Sequence, residues 1–362
     1  MDVATRSVGP VSAVICNYNG EGYLAACLDA LAAQTLAPAE IIVVDNESTD
    51  GSLALLEERY PHVKIVRMGS NGGPAPARNA GMRAAQYPWV LALDNDAYLS
   101  PHGLEYMVRA AEEHADAVLV QPRSVFSAEP ERVHYDGGQL HYAGLLALRN
   151  FYTPLAEAQG EGVVAVDGAV SLCLLVNAEI VLAAGGYDER YFILFEDLDL
   201  SYRLRSEGHG IYSVESVLCV HDEGTPGISF REGPRYPARR VRFHSRNRWM
   251  YMAKCYSLWT LILAAPGLLL YEGVQLLFAV QQRGLSAYLL GKWDVLCGLP
   301  EALRLRRATQ ARRKVGDGTL LVPGPLTLTP AVAESNAKAL IARNLNSLLS
   351  FWWNLVRPLA GR

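Results

Sequence analysis

The chain has 362 residues, of which 50% are hydrophobic and 19% are charged, so its composition excludes a disordered protein and allows more than one structural unit. The formal net charge of −4 is unevenly spread: residues 1–230 carry 13 Lys+Arg against 31 Asp+Glu, whereas residues 231–362 carry 20 against 6. The acidic part would repel phosphates, so nucleic acid is not expected as a partner.

The N-terminus and the cysteines indicate the compartment. Residues 1–10, MDVATRSVGP, contain no apolar stretch of the kind that a secretory signal requires. The 6 cysteines form no CxxC pair and show no regular spacing. We therefore expect reduced, mostly buried thiols in a cytosolic protein, and neither a disulfide framework nor a zinc site.

The first 125 residues alternate between short apolar runs and amphipathic segments with helical spacing. The apolar runs predict strands over 11–18, 40–46, 63–69, 89–96 and 117–122. The amphipathic segments predict helices over 22–34, 50–60, 77–86 and 102–114. Near-continuous apolar strands that alternate with helices are typical of a parallel, doubly wound α/β sheet, which binds ligands at the carboxyl ends of its strands.

Polar side chains follow three of these strands at the point where each one ends. They are Asn17-Tyr18-Asn19, Asp45-Asn46 and Asp94-Asn95-Asp96. Turn formation explains each cluster singly, because Asn and Asp are favoured in turns, but it explains less easily why three equivalent strand ends carry them. We expect the clusters to meet at one ligand-binding edge.

Asp94 and Asp96 are unusual because two like charges close an apolar run. On an extended segment, residues i and i+2 point to the same side, so both carboxylates can face one ligand. Carboxylate oxygens suit Mg²⁺ or Mn²⁺, and such ions commonly share their coordination with substrate phosphates. The pattern favours a divalent cation held between these carboxylates and a diphosphate, with a plain polar turn as the alternative.

Beyond residue 125 the alternation breaks down. Residues 126–235 are irregular, contain an apolar run at 170–176 and an acidic segment, FEDLDL, at 195–200, and are predicted to form a second lobe packed on the first. No internal repeat is evident in the sequence. The remaining residues, 236–362, are predicted to be mainly helical.

The segment 259–280 is long and apolar enough to span a bilayer, but basic clusters flank it on both sides. A single span would place one of these clusters on the wrong side of the membrane. We therefore predict helices that lie on or dip into the cytoplasmic leaflet, held partly by anionic lipid. An ordinary buried helical subdomain is the alternative.

Taken together, the motifs resemble those of the family 2 glycosyltransferases, which have the GT-A fold. The resemblance rests on VICNYNGEGYLAACLDAL, VVDNESTDGS, NGGPAPARNAG, LALDNDAYLSP and GGYDERYFILFEDLDLSYRLR, with a weaker match at RNRWMY. The chain is most similar to the bacterial rhamnosyltransferase-like branch, which builds cell-surface glycans. The resemblance implies a nucleotide-sugar-binding half at 1–125, an acceptor-binding and catalytic half at 126–235, and a membrane-associated helical region at 236–362.

The resemblance assigns donor-binding roles to the strand ends. It implies that Asp45 contacts the nucleotide base, with Asn17 and Tyr18 nearby, although a turn before the next helix also explains Asp45. Asp94, Asn95 and Asp96 match the family's DxD motif. The last Asp of that motif usually makes the most direct contact with the Mn²⁺ or Mg²⁺ ion.

Two residues of the segment SNGGPAPARN, at 70–79, are further donor-binding candidates. Arg78, just inside a predicted helix, can place its guanidinium near the diphosphate, and Gly73 lets the backbone approach closely. A solvated surface arginine is the alternative for Arg78.

The acidic segment contains the candidate catalytic residues. On a helix, Glu196 and Asp199 share a face and Asp197 points elsewhere, although acids near a helix start could simply complement its dipole. The aromatic residues just upstream favour a semi-apolar pocket that could tune a carboxylate as a base. In inverting family members the matching Asp removes a proton from the acceptor hydroxyl. This role falls to Asp197, with Glu196 as second choice and Asp199 as an acceptor contact.

Three more positions are candidates by resemblance. His221 ends an apolar run, and the family implies a further metal ligand or phosphate contact there, against an ordinary structural histidine. Asp167 matches a contact to the donor sugar or acceptor, which loop geometry explains nearly as well. For Arg246, acceptor or phosphate contact and simple helix anchoring both remain open.

The sequence thus predicts an inverting glycosyltransferase, dependent on Mn²⁺ or Mg²⁺. It would move a sugar from a UDP- or dTDP-sugar to a glycan or lipid-linked acceptor at the cytoplasmic membrane face. One alternative is a sugar-phosphate nucleotidyltransferase, which would want a basic residue in a Gly-rich loop where the chain has NYNGEGYL. The other is a non-catalytic, membrane-tethered sugar-binding protein, for which Asp197 would be dispensable.

Overall fold

The computed structural model describes residues 7–158, 160, 162–222, 236–327 and 336–361. The chain divides into two compact units. Unit 1 comprises Met1–Gly137, Arg149–Leu204 and His209–Glu223, and unit 2 comprises Gly138–Leu148, Arg205–Gly208 and Gly224–Arg362.

Unit 1 contains the alternating strands and helices that the sequence predicts. Its strands are β1 Val11–Asn17, β2 Glu40–Asp45, β3 Lys64–Arg67, β4 Trp89–Asp94, β5 Ala97–Leu99, β6 Ala117–Phe126, β7 Val133–Tyr135, and, numbered after a hairpin in unit 2, β10 Val163–Val166, β11 Cys173–Asn177 and β12 Gly210–His221. Its helices are α1 Leu24–Ala32, α2 Ser52–Arg59, α3 Pro74–Ala84, α4 Gly103–Glu113, α5 Ala178–Ala183 and α6 Glu196–Ser206, with a 3-10 turn at Glu189–Tyr191. Each helix and strand expected in the first 125 residues is present, with its ends shifted by a few residues.

The ten strands of unit 1 form one mixed sheet in the order β10-β12-β6-β11-β4-β1-β2-β3, with β5 paired to β12 and β7 paired to β6. Strands β4, β1, β2 and β3 are mutually parallel. Successive residues of a strand face opposite sides of the sheet, and both sides are buried here. Ile15 packs with α1 and α4 on one side, whereas Val14 packs with α3 on the other. The sheet is therefore doubly wound.

Strands from the irregular half of unit 1 join this same sheet. The apolar run predicted around 170–176 is β11, which lies between β4 and β6 and is antiparallel to both. It is buried along its whole length, and its alternate residues belong to the apolar clusters on the two faces of the sheet. An apolar run by itself gives no strand direction, so the sequence did not predict this insertion.

Unit 2 is mainly helical and includes one hairpin. Its elements are β8 Gly138–His141, β9 Leu145–Leu148, α7 Ala238–Cys255, α8 Leu258–Gln281, α9 Leu285–Arg312, α10 Asp317–Leu320 and α11 Asn336–Val356, followed by a 3-10 turn at Arg357–Leu359. The buried rings of Tyr142 and Trp353 stack with centroids 4.8 Å apart, which joins the hairpin to α11. Gly267 in α8 lies against the Tyr142 ring so closely that a Cβ would be 2.2 Å from the hydroxyl oxygen.

The apolar segment predicted at 259–280 is α8. Among the described helices, α8 is the one that is long and apolar enough to cross a membrane by length and composition, and 17% of its most apolar 18-residue stretch is buried. The rest of that stretch is exposed or partly exposed, which differs from the core helix of a soluble domain.

Candidate active site

The carboxyl ends of β1, β2 and β4 lie side by side at one edge of the sheet. In the parallel register Asn17 is opposite Asp45, and Cys16 is opposite Asp94. The three polar clusters expected at this edge therefore meet because the strands are parallel and in register. This is the edge at which open α/β sheets bind their ligands.

Asn17 is the centre of a buried hydrogen-bond network at this edge. Its Nδ2 donates to Asp45 Oδ1 over 3.0 Å and to Ser48 Oγ over 3.1 Å. Its Oδ1 accepts from Asn95 Nδ2 over 2.8 Å. Asn17 and Asp45 are almost fully buried, whereas Tyr18 is 48% exposed. The network fixes Asp45 and Asn95 in place and leaves the Tyr18 ring accessible.

Gly73, in the loop before α3, makes a close backbone contact. Its φ is +88°, and a Cβ there would lie 2.1 Å from the carbonyl oxygen of Phe192. Asn46 Nδ2 donates to the Gly73 carbonyl over 2.9 Å. We expected Gly73 to let the backbone approach a diphosphate, but the close approach in the structure is to the turn before α6. Glycine is required here by both the conformation and the space.

Arg78 is buried next to this edge of the sheet, which is called the donor edge below. The alternative of a solvated surface arginine is wrong, because Arg78 is 4% exposed. Its Nη2 donates to Asp94 Oδ1 over 2.7 Å and to the Ser171 carbonyl over 2.8 Å, and its Nη1 lies 3.7 Å from Glu196 Oε1. Burial opposes its charge, but the attraction of Asp94 and then Asp197 raises the pKa of Arg78 well above its ordinary value. The guanidinium thus connects the strand-end carboxylate with the acidic segment.

The two carboxylates of the DND cluster have different neighbours. β4 ends at Asp94, and Asn95 and Asp96 form the turn into β5, so the argument from an extended segment does not hold for Asp96. Asp96 Oδ2 lies 3.3 Å from His221 Nε2. Burial raises the pKa of Asp94, Arg78 partly offsets this, and repulsion from Asp96 raises it further. The carboxylates of Asp94 and Asp96 therefore repel each other, and a bound cation would reduce this repulsion.

These residues fit a cation that is shared with phosphate oxygens, but not a cage made by the protein alone. Among the residues that the structure describes, no three His, Cys, Asp or Glu side chains form a ready ligand set. Mg²⁺ is usually bound by one or two carboxylates together with substrate phosphates, and Asp94 and Asp96 provide that donor set, with His221 adjoining.

The acidic segment enters α6 through a strained turn. Phe192, Leu194 and Phe195 have φ values of 63°, 68° and 76°, a region that bulky residues rarely occupy. Such strain occurs mainly at functional sites. Burial, and then repulsion from Asp197, raises the pKa of Glu196 to about 8, although Arg78 counteracts the rise. Glu196 is therefore mostly protonated at neutral pH.

The other two acids of α6 differ in accessibility. Asp197 is half-buried, and its Oδ1 has no hydrogen-bond partner among the described residues. Asp199 is fully buried and accepts from Arg203 Nε over 2.8 Å and from the Tyr191 hydroxyl over 3.3 Å. Asp197 thus has a carboxylate oxygen without a partner in the described part of the chain, whereas Asp199 is in an interior ion pair with Arg203.

The remaining candidates lie in separate places. Asp167 is half-buried and directly follows β10, and the nearby Ala169 N donates to Ser201 Oγ of α6 over 3.2 Å. Arg246 belongs to α7 of unit 2, where its Nε donates to Asn247 Oδ1 over 2.7 Å.

Sequence reasoning missed His134. Its Nδ1 lies 3.1 Å from Nδ1 of His221, and the two rings are nearly parallel, with centroids 5.0 Å apart. His134 lies on β7, which pairs with β6, and β6 pairs in turn with the end of β12. Sequence offers no signal for this contact, because the two histidines are brought together by a sheet order that the sequence does not reveal.

The comparisons with known proteins agree with this geometry. Residues 12–168 match the family model described as Glycosyl transferase family 2. A Mycobacterium tuberculosis protein named N-acetylglucosaminyl-diphospho-decaprenol L-rhamnosyltransferase is 27% identical over 274 residues, which cover 69% of this chain and 85% of that protein. The succinoglycan biosynthesis protein ExoO of Rhizobium meliloti is 31% identical over 127 residues, 35% of this chain and 36% of that protein.

A solved structure supports the fold. The crystal structure of GalNAc-T7 with UDP, GalNAc and Mn²⁺ superposes with a TM-score of 0.50 at 17% sequence identity. The match covers 68% of this chain and half of the GalNAc-T7 chain. The sheet topology, the strand-end carboxylates and the sequence matches all indicate the same group of enzymes. Residues 12–168 therefore match the family 2 glycosyltransferases, and the sheet that contains them has the GT-A fold.

Proposed function

We propose that the protein is an inverting, metal-dependent glycosyltransferase. It takes a sugar from a UDP- or dTDP-sugar and transfers it to a glycan or lipid-linked acceptor in the synthesis of cell-surface polysaccharide. The observation that carries the proposal is the position of Arg78, whose guanidinium lies 2.7 Å from Asp94 and 3.7 Å from Glu196. This contact links the strand-end carboxylate with the acidic segment, which supports a single site for transfer between two substrates.

The donor binds at the strand ends in this proposal. Asp45 and Asn17 contact the base or ribose, and the exposed ring of Tyr18 lies against the nucleotide. Asp94, Asp96 and His221 hold Mn²⁺ or Mg²⁺, which when bound neutralises charge on the diphosphate leaving group. Arg78 keeps Asp94 in position and limits the repulsion between the two carboxylates.

Asp197 serves as the general base. It takes the proton of the acceptor hydroxyl while that oxygen attacks the anomeric carbon from the face opposite the departing diphosphate. Its half-buried position, and an Oδ1 with no hydrogen-bond partner among the described residues, support the role. Burial raises the pKa of Glu196 to about 8, so Glu196 is the less suitable proton acceptor at neutral pH. A single displacement of this kind inverts the anomeric configuration and needs no enzyme nucleophile.

Unit 2 associates with the cytoplasmic face of the membrane. Large apolar side chains of α8, α9 and α11 are exposed, among them Leu269, Leu277, Trp293 and Phe351, each more than 60% accessible. Within α8, Glu272 pairs with Arg248 over 2.8 Å and with Lys292 over 2.6 Å. A lone span would carry this charged group into hydrocarbon, so we favour helices that lie in the interface.

We favour a lipid-linked glycan as the acceptor. The Mycobacterium tuberculosis relative is named for a diphospho-decaprenol acceptor and for L-rhamnosyl transfer. A membrane-bound acceptor also matches an enzyme whose helical unit exposes apolar surface. An L-rhamnosyl donor carried by dTDP is accordingly the first donor to test.

The proposal is tested by binding and by turnover. Melting temperatures of the full-length chain are measured with UDP, dTDP and GDP, each with and without Mn²⁺. A ligand present at 100 times its dissociation constant stabilises the native state by about 2.7 kcal/mol, so one diphosphate should raise the melting temperature by several degrees only when Mn²⁺ is present. Asp96→Ala should lose this response without losing the fold. Release of UDP or dTDP from a donor sugar in the presence of membrane extract should be lost in the same variant.

A further inference from the structure

His134 contacts His221, which lies next to Asp96 at the donor edge. Its Nδ1 lies 3.1 Å from Nδ1 of His221, and the other ring nitrogen of His221, Nε2, lies 3.3 Å from Asp96 Oδ2. The two nitrogens of His221 therefore face different partners. One faces a buried imidazole, and the other faces a carboxylate at the proposed cation site.

The packing around His134 fixes its ring. The side chain is 4% exposed, and its ring centroid lies 3.8 Å from that of Tyr135 and 4.1 Å from that of Phe126. The ring centroid of Phe151 lies 6.5 Å from that of His134. A ring enclosed in this way holds its Nδ1 in one direction, so it can orient a neighbour.

Two neutral imidazoles in contact through their Nδ1 atoms must divide the roles of donor and acceptor. A neutral imidazole has one N–H and one lone pair. When His221 donates from Nδ1, its lone pair is on Nε2 and faces Asp96. When His134 donates instead, His221 carries its proton on Nε2 and cannot bind a cation through that atom. The contact with His134 therefore selects what His221 offers at the donor edge.

We propose that His134 is a positioning residue for His221. It accepts the Nδ1–H of His221, keeps its own proton on Nε2, and thereby turns the Nε2 lone pair of His221 toward Asp96 and the divalent cation. Metal-binding histidines generally donate their second N–H to an acceptor that fixes ring orientation and tautomer, and a buried imidazole serves that purpose here. The inference rests on the metal-dependent transfer proposed above.

The first test measures affinity for Mn²⁺ by calorimetry in the presence of saturating UDP or dTDP. His134→Phe keeps an aromatic ring but removes the acceptor, and it should weaken Mn²⁺ binding by about 10- to 100-fold, the usual effect of losing such a partner. His134→Asn places an amide oxygen near the position of Nδ1 and should restore most of the affinity. Phe151→Leu disturbs the packing without removing the acceptor and is the matched control, for which less than about a threefold change is expected.

The second test uses no variant. Nitrogen-15 NMR of the wild-type chain with Mg²⁺ and the diphosphate reports which nitrogen of His221 carries the proton. We expect the proton on Nδ1, and a proton on Nε2 in that complex would overturn the proposal.

The outcomes separate this inference from the proposed function. Wild-type chain that takes up no Mn²⁺ with either diphosphate overturns both. If the wild-type chain and His134→Phe bind Mn²⁺ equally tightly, only the role of His134 is overturned. Equal losses in His134→Phe and His134→Asn would assign the effect to packing and would also overturn it.

Discussion

Glu196 and Asp197 are adjacent in the sequence, but their carboxyl groups are in different environments. Glu196 is 4% exposed and next to Arg78, whereas Asp197 is half-buried. Desolvation penalises the charged form of the more buried group first, which is why the pKa of Glu196 rises to about 8. Sequence spacing could identify the pair of acids, but the choice between them depends on burial.

The first residue-scale prediction concerns this choice. Asp197→Asn should lower kcat by about 100-fold or more, because a general base contributes roughly that much, while Mn²⁺-dependent binding of the diphosphate stays within about threefold of the wild type. Glu196→Gln should retain most of the turnover, since glutamine resembles the protonated acid. Steady-state kinetics and calorimetry on both variants check this. An inactive Glu196→Gln beside an active Asp197→Asn would reverse the two roles.

The second prediction follows from the proton on Glu196. The unfolded chain releases this proton near its ordinary pKa of 4.5, whereas the folded chain holds it up to about pH 8. Because the folded state binds the extra proton across this window, the free energy of unfolding contributed by Glu196 falls as pH rises from 4.5 to 8. Glu196→Gln has no proton to lose. Its melting temperature minus that of the wild type should therefore increase from pH 5 to pH 8, and a difference that stays constant by scanning calorimetry would contradict the buried, protonated acid.

Arg78 shows where sequence reasoning stops at this scale. Its position inside a helix start after a Gly-rich loop identified it as a candidate, and in the structure it donates to Asp94. Its burial beneath Asp94 could not be predicted, because it depends on Ser171 and Tyr187, which are about a hundred residues away in the chain. The local pattern therefore predicts that Arg78 is a candidate, whereas its partners are set by long-range packing.

Among the elements, five strands and four helices of residues 7–126 were predictable, because most of these strands are buried apolar runs and the helices have an apolar face. The end of β4 was not. The sequence DND looks like a continuation of the strand, but Asn95 and Asp96 turn into β5, which pairs with β12. That pairing brings Asp96 next to His221. A turn that the sequence did not predict therefore brings these two candidate residues together.

The element-scale prediction concerns the contact between the loop before α3 and the turn before α6. Gly73→Ala places a Cβ 2.1 Å from the Phe192 carbonyl oxygen and demands a φ of +88° of an alanine. The free energy of unfolding should fall by about 2 kcal/mol or more, since an unfavourable backbone conformation alone costs 1 to 3 kcal/mol. Gly69→Ala, with nothing within 4 Å of the added Cβ, is the matched control in the same loop. Urea unfolding of both variants checks this, and equal midpoints would show that the contact is not tight.

For the whole molecule, the charge asymmetry was visible in the sequence, but the division into units was not. Residues 138–148 form the hairpin β8–β9, which belongs to unit 2 although the chain around it belongs to unit 1. Its membership depends on contacts such as that of Tyr142 with Trp353, more than two hundred residues away. Nothing in the local sequence shows that these residues belong to a different unit, so the sequence predicts that they pack with their neighbours in the chain.

The last prediction concerns the membrane. Residues 231–362 carry 20 Lys+Arg against 6 Asp+Glu, and the same part of the chain exposes Leu269 and Phe351 at 65% and 69%. Each basic residue near an anionic surface contributes about 1 kcal/mol, and salt screens that attraction, whereas apolar insertion survives salt. Full-length chain should therefore sediment with vesicles that contain phosphatidylglycerol at low salt, only partly at about 0.5 M NaCl, and weakly with phosphatidylcholine alone.

A charge reversal in each unit tests which part of the chain makes this attachment. Arg307→Glu and Arg343→Glu, exposed on α9 and α11, should each reduce the bound fraction, because each replaces an attraction to the lipid surface with a repulsion. Arg67→Glu, an exposed position of unit 1, makes the same change in net charge and should leave binding within error. If all three variants lose binding equally, net charge alone holds the protein on the vesicles. If the wild type stays in the supernatant at low salt, unit 2 does not bind membranes, and its exposed apolar helices require a protein partner instead.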